Sequence, residues 1–427
     1  MKVLHITYFD NGGAGNAALR LHNGLLSLNI ESQVLVLQKN TKTPEVYEMQ
    51  TDSWLSSILH RICSKFGFPL NVRYCNYRRY SQLIGEFEFF SFANSDYTTL
   101  SSHPLVKECD VINLHWVANY LDYTSFFRSI NKPIVWTMHD MNAFQGGFHY
   151  KEDEIRNKKL LGKIDKEQFD LKKSAIDTIA AGQLALVSPS LWMKREAEQS
   201  VMFNRFRHYH IPNGVDPGIF FLKDQLSLKK KLGLAEDKIT VLFVAEHIRN
   251  IRKGFSYIEQ ILDSETFGAY CEFIAVGDVS VATKRDNIRY LGRIDAEEDI
   301  SDVYSAADIY LLPSREDNLP NVMLESLASG TPVVAFKVGG IQDLVREGFN
   351  GCLSVSVSAD GLKEALLRCI KKIDGFDKHA IAEHIARNYN TTKQAVSYIS
   401  LYQDQICSMT GKTHYNESYP QTLVSSD

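Results

Sequence analysis

Short apolar runs of strand length alternate with helical patterns along almost the whole chain. The runs are rich in β-branched residues and continuously apolar, which is typical of parallel strands that are buried on both faces. In the first half they lie at 2–9, 32–38, 110–116, 133–139 and 184–190, and in the second half at 239–245, 271–278, 288–294, 308–314 and 331–336. Because helical segments separate the strands, the pattern predicts an α/β protein with two doubly wound, Rossmann-like parallel sheets in tandem.

Turn residues indicate where the two halves meet. The segment HIPNGVDP, residues 210–217, contains prolines and an Asn-Gly pair, which favour a turn over a regular element. The sequence therefore predicts a first domain over 1–212 and a second domain over 213–395. The polar tail over 408–427 is expected to be disordered.

Composition narrows the classes of protein that fit. The 427 residues suffice for two or three domains, and a net charge of -4 gives no reason to expect nucleic acid as a partner. The seven cysteines are scattered without a C-x-x-C pair, which argues against zinc and disulfide frameworks and favours a reducing compartment. The N-terminus enters a strand directly, and no apolar run is long enough to cross a bilayer. We therefore expect a cytoplasmic protein.

The segment from 308 to 336 reads as strand, loop, helix and strand in close succession. Pro320 suits the first turn of a helix, and Gly330 suits the left-handed position just after its end. The N-terminus of such a helix has free backbone N–H groups and a partial positive charge, so it can hold an anion. Asp317 and Glu325 flank this end. Amides for a diphosphate beside carboxylates for sugar hydroxyls predict a site for a nucleotide sugar.

The same segment resembles a known family signature. Two acids separated by seven residues and followed by Gly-Thr-Pro-Val-Val resemble the nucleotide-binding motif of retaining glycosyltransferases of the GT-B fold, family 4, also called group 1. The resemblance implies that Glu325 holds the ribose and Asp317 the sugar. The residues that would hold the sugar and the phosphates together with Asp317 are Asn318, Leu319, Pro320 and Asn321. In that family the first acid is more often Glu, and Glu316 is one residue out of register; an ordinary solvated Glu325 is the alternative.

A Gly-rich loop follows the first predicted strand. Gly12, Gly13 and Gly15 would let the backbone approach a ligand closely before the first helix begins. A dinucleotide-binding dehydrogenase is the rival interpretation, but it expects an acid at the end of the second strand, where this chain has Leu-Gln-Lys over 37–39. In GT-B enzymes this loop lies over the donor phosphates or the acceptor. A purely structural tight turn is the alternative.

The segment over 133–150 places His139 and Asp140 directly after a strand. Ligands bind beyond the carboxyl ends of strands in open parallel sheets, so a ligand is expected here. The string resembles a bacterial subgroup that builds surface and capsular polysaccharides, which implies that His139 lies near the transferred sugar. Phe148 replaces a cysteine common in that subgroup, so the acceptor is expected to be handled differently. A satisfied core histidine is the alternative.

A basic loop follows the first predicted strand of the second half. In the resembled family an arginine and a lysine, six residues apart, neutralise the diphosphate. Lys253 matches the lysine, whereas His247 takes the arginine position, so Arg249 or Arg252 is expected to compensate. Such cations stabilise a leaving diphosphate without a metal. The chain has no Asp-x-Asp tripeptide, the metal-binding mark of the other major glycosyltransferase fold, so neither a metal nor another cofactor is expected. A solvated basic loop is the alternative.

The stretch over 54–80 combines apolar and basic residues at helical spacing. Trp54, Ile58 and Ile62 form an apolar stripe. The basic residues near it are Arg61, Lys65, Arg73, Arg78 and Arg79. A helix packed in the core is one interpretation. A surface that contacts anionic lipid is the other, and it would suit an enzyme whose acceptor is anchored in a membrane.

Together these features predict a metal-independent retaining glycosyltransferase of the hexosyltransferase type, in the cytoplasm or at the inner face of the cell membrane. It would move a sugar from a UDP- or GDP-sugar to a growing, lipid-linked glycan, with His139, Asp317 and Glu325 in the reaction centre. The GT-B resemblance also implies that a last helix, over 396–407, crosses back to the first domain. A GT-B nucleotide-sugar epimerase or hydrolase and a catalytically weak nucleotide-sugar-binding protein are the alternatives. The donor base and sugar, the acceptor, the linkage and the oligomeric state stay open.

Overall fold

The computed structural model describes residues 1–50, 71–263, 266–278 and 285–410. Its first half contains the strands β1 (Lys2–Phe9), β2 (Glu31–Gln38), β3 (Val46–Glu48), β4 (Val111–Leu114), β5 (Ile134–Thr137), β6 (Leu184–Ser188) and β7 (Arg207–His210). They form one parallel sheet in the order β3-β2-β1-β4-β5-β6-β7. The helices of this half are α1 (Gly12–Ser27), α2 (Val72–Tyr80), α3 (Pro104–Glu108), α4 (Tyr123–Ser129), α5 (Lys151–Ile176) and α6 (Leu191–Gln199).

The second half repeats this architecture. Its strands are β8 (Ile239–His247), β9 (Cys271–Asp278), β10 (Arg289–Gly292), β11 (Ile309–Leu312), β12 (Val333–Phe336) and β13 (Gly351–Ser354). They form a second parallel sheet in the order β10-β9-β8-β11-β12-β13. The helices are α7 (Gln225–Leu232), α8 (Phe255–Leu262), α9 (Glu297–Ala306), α10 (Asn321–Ala328), α11 (Ile341–Leu344), α12 (Ala359–Lys371), α13 (Lys378–Asn388) and α14 (Thr391–Thr410). The prediction of two tandem Rossmann-like domains is confirmed.

The order of strands fixes where a ligand can sit. In each sheet the chain first winds to one side of the opening strand and then returns to its other side, so β1 and β4, and likewise β8 and β11, flank a topological switch point. Ligands of open α/β sheets bind beyond the carboxyl ends of the strands at such points. Here those ends carry the loops of Gly12 and His115 in the first sheet, and of Lys253 and Asp317 in the second.

All ten predicted strands are present, and the structure adds β3, β7 and β13. Each added strand lies at one edge of its sheet. An edge strand needs no continuous apolar run because only part of it is buried, and β7, with the sequence Arg-His-Tyr-His, has no fully buried residue. The periodicity argument therefore detects central strands and misses these.

Helix α14 returns to the first domain and completes its core. The structure starts this helix at Thr391, earlier than the predicted 396, and continues it through Thr410, so residues 408–410 are helical rather than part of a disordered tail. Residues 411–427 lie outside the described residues. The hydroxyl of Tyr398 lies 2.8 Å from Thr137 Oγ1 on β5, and Asn113 Nδ2 on β4 donates to Tyr402 Oη at 2.7 Å. Within the described ranges, no helix combines the length and apolar content needed to span a bilayer.

We predict that Gly24 is required for the packing of α1 against α14. A Cβ atom at Gly24 would lie 2.9 Å from the Thr391 carbonyl oxygen and 3.2 Å from Ala395 Cβ, so Gly24→Ala should destabilise the fold by about 1–3 kcal/mol through overpacking. The measurement is the melting temperature, which should fall.

Gly162, in the middle of α5, provides the matched control. Its added Cβ would meet only Lys158 Cγ at 3.7 Å, an ordinary contact. Gly162→Ala should therefore raise the melting temperature, because alanine favours a helix over glycine by about 1 kcal/mol. If both substitutions stabilise the protein, the close approach of α14 to α1 is wrong.

Candidate active site

The loop that leads into α10 lies in the cleft between the two sheets and touches both first-domain candidate segments. Asn318 Nδ2 donates to the carbonyl oxygens of Met138 at 3.0 Å and His139 at 3.3 Å, and Asn321 Nδ2 donates to the carbonyl oxygen of Gly13 at 2.9 Å. Pro320 precedes α10, and no side chain caps its N-terminus. The structure therefore brings the predicted residues of both domains to one place.

Asp317 is the ionised carboxylate of this cleft. Its Oδ2 atom lies 2.7 Å from Lys253 Nζ and 3.1 Å from Arg252 Nη1. Burial alone would raise the pKa of Asp317, but the two cations outweigh it and hold the pKa at about 2. Lys253 keeps 21% of its side chain exposed, so a ligand oxygen can reach its ammonium.

Glu316, the neighbouring acid, forms hydrogen bonds with the first domain. Its carboxylate accepts hydrogen bonds from the backbone N–H of Lys151 at 3.2 Å and of Glu152 at 2.9 Å, the first two residues of α5. The N-cap residue of that helix, Tyr150, provides no side-chain cap, so Glu316 takes this part across the cleft. Of the two adjacent acids, only Asp317 faces Lys253.

Arg252 is a bridge between the domains. Its guanidinium pairs with the carboxylate of Glu88, lies 4.1 Å from the ring centre of Tyr150, and donates to the Glu316 carbonyl oxygen at 3.1 Å. Only 10% of its side chain is exposed. Although burial would raise the pKa of Glu88, Arg252 lowers it, so this pair is ionic. The predicted role of Arg252 as a free diphosphate cation therefore conflicts with its existing partners.

Arg249 and His247, the other two candidates for the arginine position, lie apart from Asp317. Arg249 Nη1 pairs with Glu259 Oε2 of α8 at 2.8 Å, and 43% of its side chain is exposed. His247 is exposed and lies 3.9 Å from Asp278.

Glu325 forms the second bridge between the domains. Its Oε1 atom lies 2.7 Å from Nη2 of Arg20 on α1, and its Oε2 atom accepts from Tyr304 Oη at 3.2 Å. The same Arg20 nitrogen lies 2.5 Å from Glu297 Oε1. Burial opposes the charge of Arg20, yet the two carboxylates raise its pKa overall. Glu325 is thus a buried, ion-paired residue and not the solvated acid of the alternative interpretation.

The three glycines of the first loop have different reasons to be glycine. Gly12 has φ 69°, which only glycine adopts at low cost, and a Cβ atom at Gly15 would lie 2.8 Å from the carbonyl carbon of Asp10. The tight-turn interpretation therefore accounts for these two. Gly13 has no described atom within 4 Å of an added Cβ, so its side of the loop is open to a ligand.

His139 is partly exposed at the carboxyl end of β5, and its Nε2 atom lies 2.9 Å from Nδ1 of His115. Burial lowers the pKa of His139 to about 4, so the ring is neutral at physiological pH.

The carboxylate of Asp140 is hydrogen-bonded within the first domain. Its carboxylate accepts from Trp116 Nε1 at 2.7 Å and from His149 Nδ1 at 2.6 Å. Of the His-Asp pair, only His139 is available to a ligand.

Comparisons with known proteins agree with this geometry. Residues 238–372 match the family model described as glycosyl transferases group 1. The matched segment lies within the second domain. The chain is 20% identical to N-acetyl-alpha-D-glucosaminyl L-malate synthase of Bacillus anthracis, over 81% of this chain and 89% of that protein. It is 31% identical to D-inositol 3-phosphate glycosyltransferase of Geodermatophilus obscurus, over 34% of this chain and 36% of that protein.

Solved structures agree on the fold. Sucrose-phosphate synthase from Thermosynechococcus elongatus superposes with a TM-score of 0.66 at 15% identity and covers 96% of this chain and all of its own. The Anabaena protein HepE, crystallised with UDP and glucose, superposes with a TM-score of 0.64 at 16% identity, covering 94% of this chain and 99% of its own. The chain thus has the GT-B fold across both domains.

Sequence reasoning missed the first-domain side chains that contact the second domain. Arg20 and Glu88 belong to no motif, and their partners lie 305 and 164 positions away. Arg20 gives one usable signal: it is the single cation on the otherwise apolar stretch of α1. A lone charge on a buried helix face indicates a distant carboxylate.

We predict that Arg20 and Glu325 are energetically coupled. A double-mutant cycle with Arg20→Gln and Glu325→Gln should give a coupling free energy of about 1–3 kcal/mol in chemical denaturation. Arg20→Gln leaves the buried Glu325 carboxylate without its cation, and Glu325→Gln leaves Arg20 with Glu297 alone. The matched control is Arg387 and Glu383 on α13, which lie 2.7 Å apart but are 73% and 68% exposed. Their coupling should stay below about 0.5 kcal/mol. Equal coupling in both cycles would contradict the buried bridge.

Proposed function

We propose that this protein is a metal-independent retaining glycosyltransferase that moves a hexose from a nucleotide sugar to a growing glycan. The observation that carries the proposal is the pair of Lys253 and Asp317. It lies beside the loop that precedes α10, in which Asn318 contacts the carbonyl oxygen of His139, and it belongs to the domain that matches the group 1 model. A cation and free amides suit a diphosphate, and a carboxylate suits sugar hydroxyls.

The donor in this proposal is a UDP- or GDP-sugar. Glu325 binds the ribose hydroxyls, so the donor competes with Arg20 for the Glu325 carboxylate. Asp317 and the loop over 318–321 bind the sugar and the phosphates. The complexes of HepE with UDP and with UDP-glucose favour the uridine form. Thermal shifts with UDP-glucose, UDP-N-acetylglucosamine and GDP-mannose test it, since a ligand that binds only the folded state raises the melting temperature.

The leaving diphosphate is stabilised by fixed groups of the protein. Lys253 supplies the cation, and the amides of α10 supply a partial positive charge directed at the same place. Arg252 is already held by Glu88 and Tyr150, so Lys253 carries this role with little help from a second cation. The missing Asp-x-Asp tripeptide agrees with chemistry that needs no metal.

We predict that Lys253→Ala lowers kcat/KM by an amount that corresponds to a loss of about 2–4 kcal/mol of transition-state stabilisation. The substrate is the nucleotide sugar that raises the melting temperature most in the thermal-shift experiment. The measurement is release of the nucleoside diphosphate. Asp317 keeps Arg252 as a partner in this variant, so the fold should be maintained. Lys230→Ala is the control, since Lys230 is an exposed lysine of the same domain that also faces a carboxylate, Glu236.

The same assay tests metal independence. Turnover should be unchanged in excess EDTA. Loss of activity in EDTA with recovery on adding magnesium or manganese would refute a reaction that depends on Lys253 and helix amides alone.

A glycan product would distinguish the transferase from an epimerase or hydrolase, both of which act on the donor without an acceptor.

The acceptor in this proposal is a lipid-linked glycan, reached by peripheral contact with the inner face of the cell membrane. Residues 54–70 of the predicted contact stretch, with Trp54, Ile58, Arg61, Ile62 and Lys65, lie outside the described residues. Helix α2 presents Arg73, Arg78 and Tyr77 to solvent and has no buried residue. Arg79 pairs with Glu167 and lies over the ring of Phe92, and 41% of its side chain is exposed, so it is also part of the proposed surface.

We predict that the protein binds vesicles containing anionic lipid at low salt and leaves them at high salt. Each cation near such a surface contributes about 1 kcal/mol, and salt screens the attraction. Changing Arg73 and Arg78 to Ser should reduce co-sedimentation, whereas changing Lys371 and Lys372 of the second domain to Ser should not. Equal sedimentation of both variants, or no binding at low salt, would contradict membrane contact through α2.

A further inference from the structure

Three imidazoles form a hydrogen-bonded row that leads from the cleft into the first domain. His139 Nε2 lies 2.9 Å from His115 Nδ1, and His115 Nε2 lies 3.0 Å from His5 Nδ1. His139 lies two residues after β5, His115 directly follows β4, and His5 lies in the middle of β1, so the row crosses the ends of three neighbouring strands of the sheet. His5 and His115 are buried, and only His139 is partly exposed.

All three rings are neutral, so each carries one proton. Burial lowers the pKa of His139 to about 4 and keeps the pKa values of His115 and His5 well below the usual range. Each of the two hydrogen bonds needs one proton, and a neutral imidazole has one donor and one acceptor nitrogen. If His115 carries its proton on Nδ1, both neighbours must do the same; if it carries it on Nε2, both must again follow. The three rings therefore share one tautomer.

The inner end of the row decides between the two tautomers. No described residue forms a hydrogen bond with Nε2 of His5, although that atom is buried. With protons on Nε2, the row would end in a buried N–H group without an acceptor. With protons on Nδ1, it ends in a lone pair without a donor. Orphaned buried N–H groups are the rarer of the two defects in proteins.

We infer that His115 and His5 are positioning residues that make Nδ1 of His139 a hydrogen-bond donor to the ligand in the cleft. Nδ1 of His139 forms no hydrogen bond with a described residue, so it is available. Its partner must then be an oxygen atom that accepts, such as a hydroxyl or ring oxygen of the sugar or an oxygen of the phosphate. That the ligand is a nucleotide sugar rests on the proposed function, whereas the tautomer of the row does not.

Two other histidines of the same domain serve as internal references. His149 Nδ1 lies 2.6 Å from the Asp140 carboxylate, which only accepts, so this nitrogen carries a proton. His208 Nε2 lies 3.0 Å from the Phe203 carbonyl oxygen, so there the proton is on Nε2. The protein therefore contains a known example of each proton position.

The test is a long-range proton–nitrogen correlation spectrum of the full chain with 15N-labelled histidine, assigned by single substitutions. His5, His115 and His139 should all show the pattern in which Nδ1 is protonated, like His149 and unlike His208. Three rings with different tautomers, or three rings protonated on Nε2, would overturn the inference. The measurement needs no ligand, so its outcome is independent of whether the proposed function is right.

His115→Phe separates positioning from folding. It removes both hydrogen bonds of the row while keeping an aromatic ring in place, so His139 should lose its single tautomer while the signal of His149 stays unchanged. For the nucleotide sugar, kcat/KM should fall on the order of 10-fold, the effect expected for one hydrogen bond. His208→Phe, a change of the same kind on edge strand β7, should alter neither the tautomer of His139 nor kcat/KM.

A second variant keeps the test valid if His115→Phe does not fold. His115→Asn keeps a small amide beside His139 but is too short to reach His5, so it should also abolish the single tautomer of His139. If His139 stays protonated only on Nδ1 in these variants, the row does not set its polarity and the inference fails. If no nucleotide sugar binds the parent protein, the proposed function fails, but the spectrum still shows whether His5, His115 and His139 share one tautomer.

Discussion

Two buried arginines cross the cleft in opposite directions, and the arrangement of the two domains depends on them. Arg20 of the first domain reaches Glu325 and Glu297 of the second, and Arg252 of the second reaches Glu88 of the first. A guanidinium keeps its charge at any ordinary pH, so a buried arginine requires a carboxylate. Because a buried pair that loses one partner costs about 3–5 kcal/mol, a shift of either domain that breaks these contacts is strongly opposed.

In the proposed function, the donor binds carboxylates that already have cationic partners. Glu325 pairs with Arg20 across the cleft, whereas Asp317 pairs with Lys253 and Arg252 of its own domain. In the proposed function, a nucleotide sugar that hydrogen-bonds Asp317 and Glu325 competes with these cations. Donor binding and domain arrangement therefore share the same interactions, and a ligand can shift the arrangement only by the difference in its affinity for the two states.

The sequence alone was sufficient for features that depend on local pattern. The ten predicted strands and the position of α10 between Pro320 and Gly330 followed from apolar runs and from helix signals, both of which are carried by neighbouring residues. The edge strands β3, β7 and β13 lacked that signal. The distinction between Glu316 and Asp317, and the use of Arg252 as a bridge, depend on partners in the other domain. A family pattern fixes the spacing of such residues along the chain but not the partners that they find.

The departure at His247 has a physical consequence for the proposed reaction. His247 is exposed, Arg249 pairs with Glu259 of α8, and Arg252 pairs with Glu88 of the first domain. Lys253 is the cation that lies beside Asp317 with a partly exposed ammonium. The remaining stabilisation of a leaving diphosphate must then come from neutral donors, namely the amides of α10 and the imidazole of His139. Fixed neutral donors are effective where water is excluded, since they need no reorganisation as charge develops.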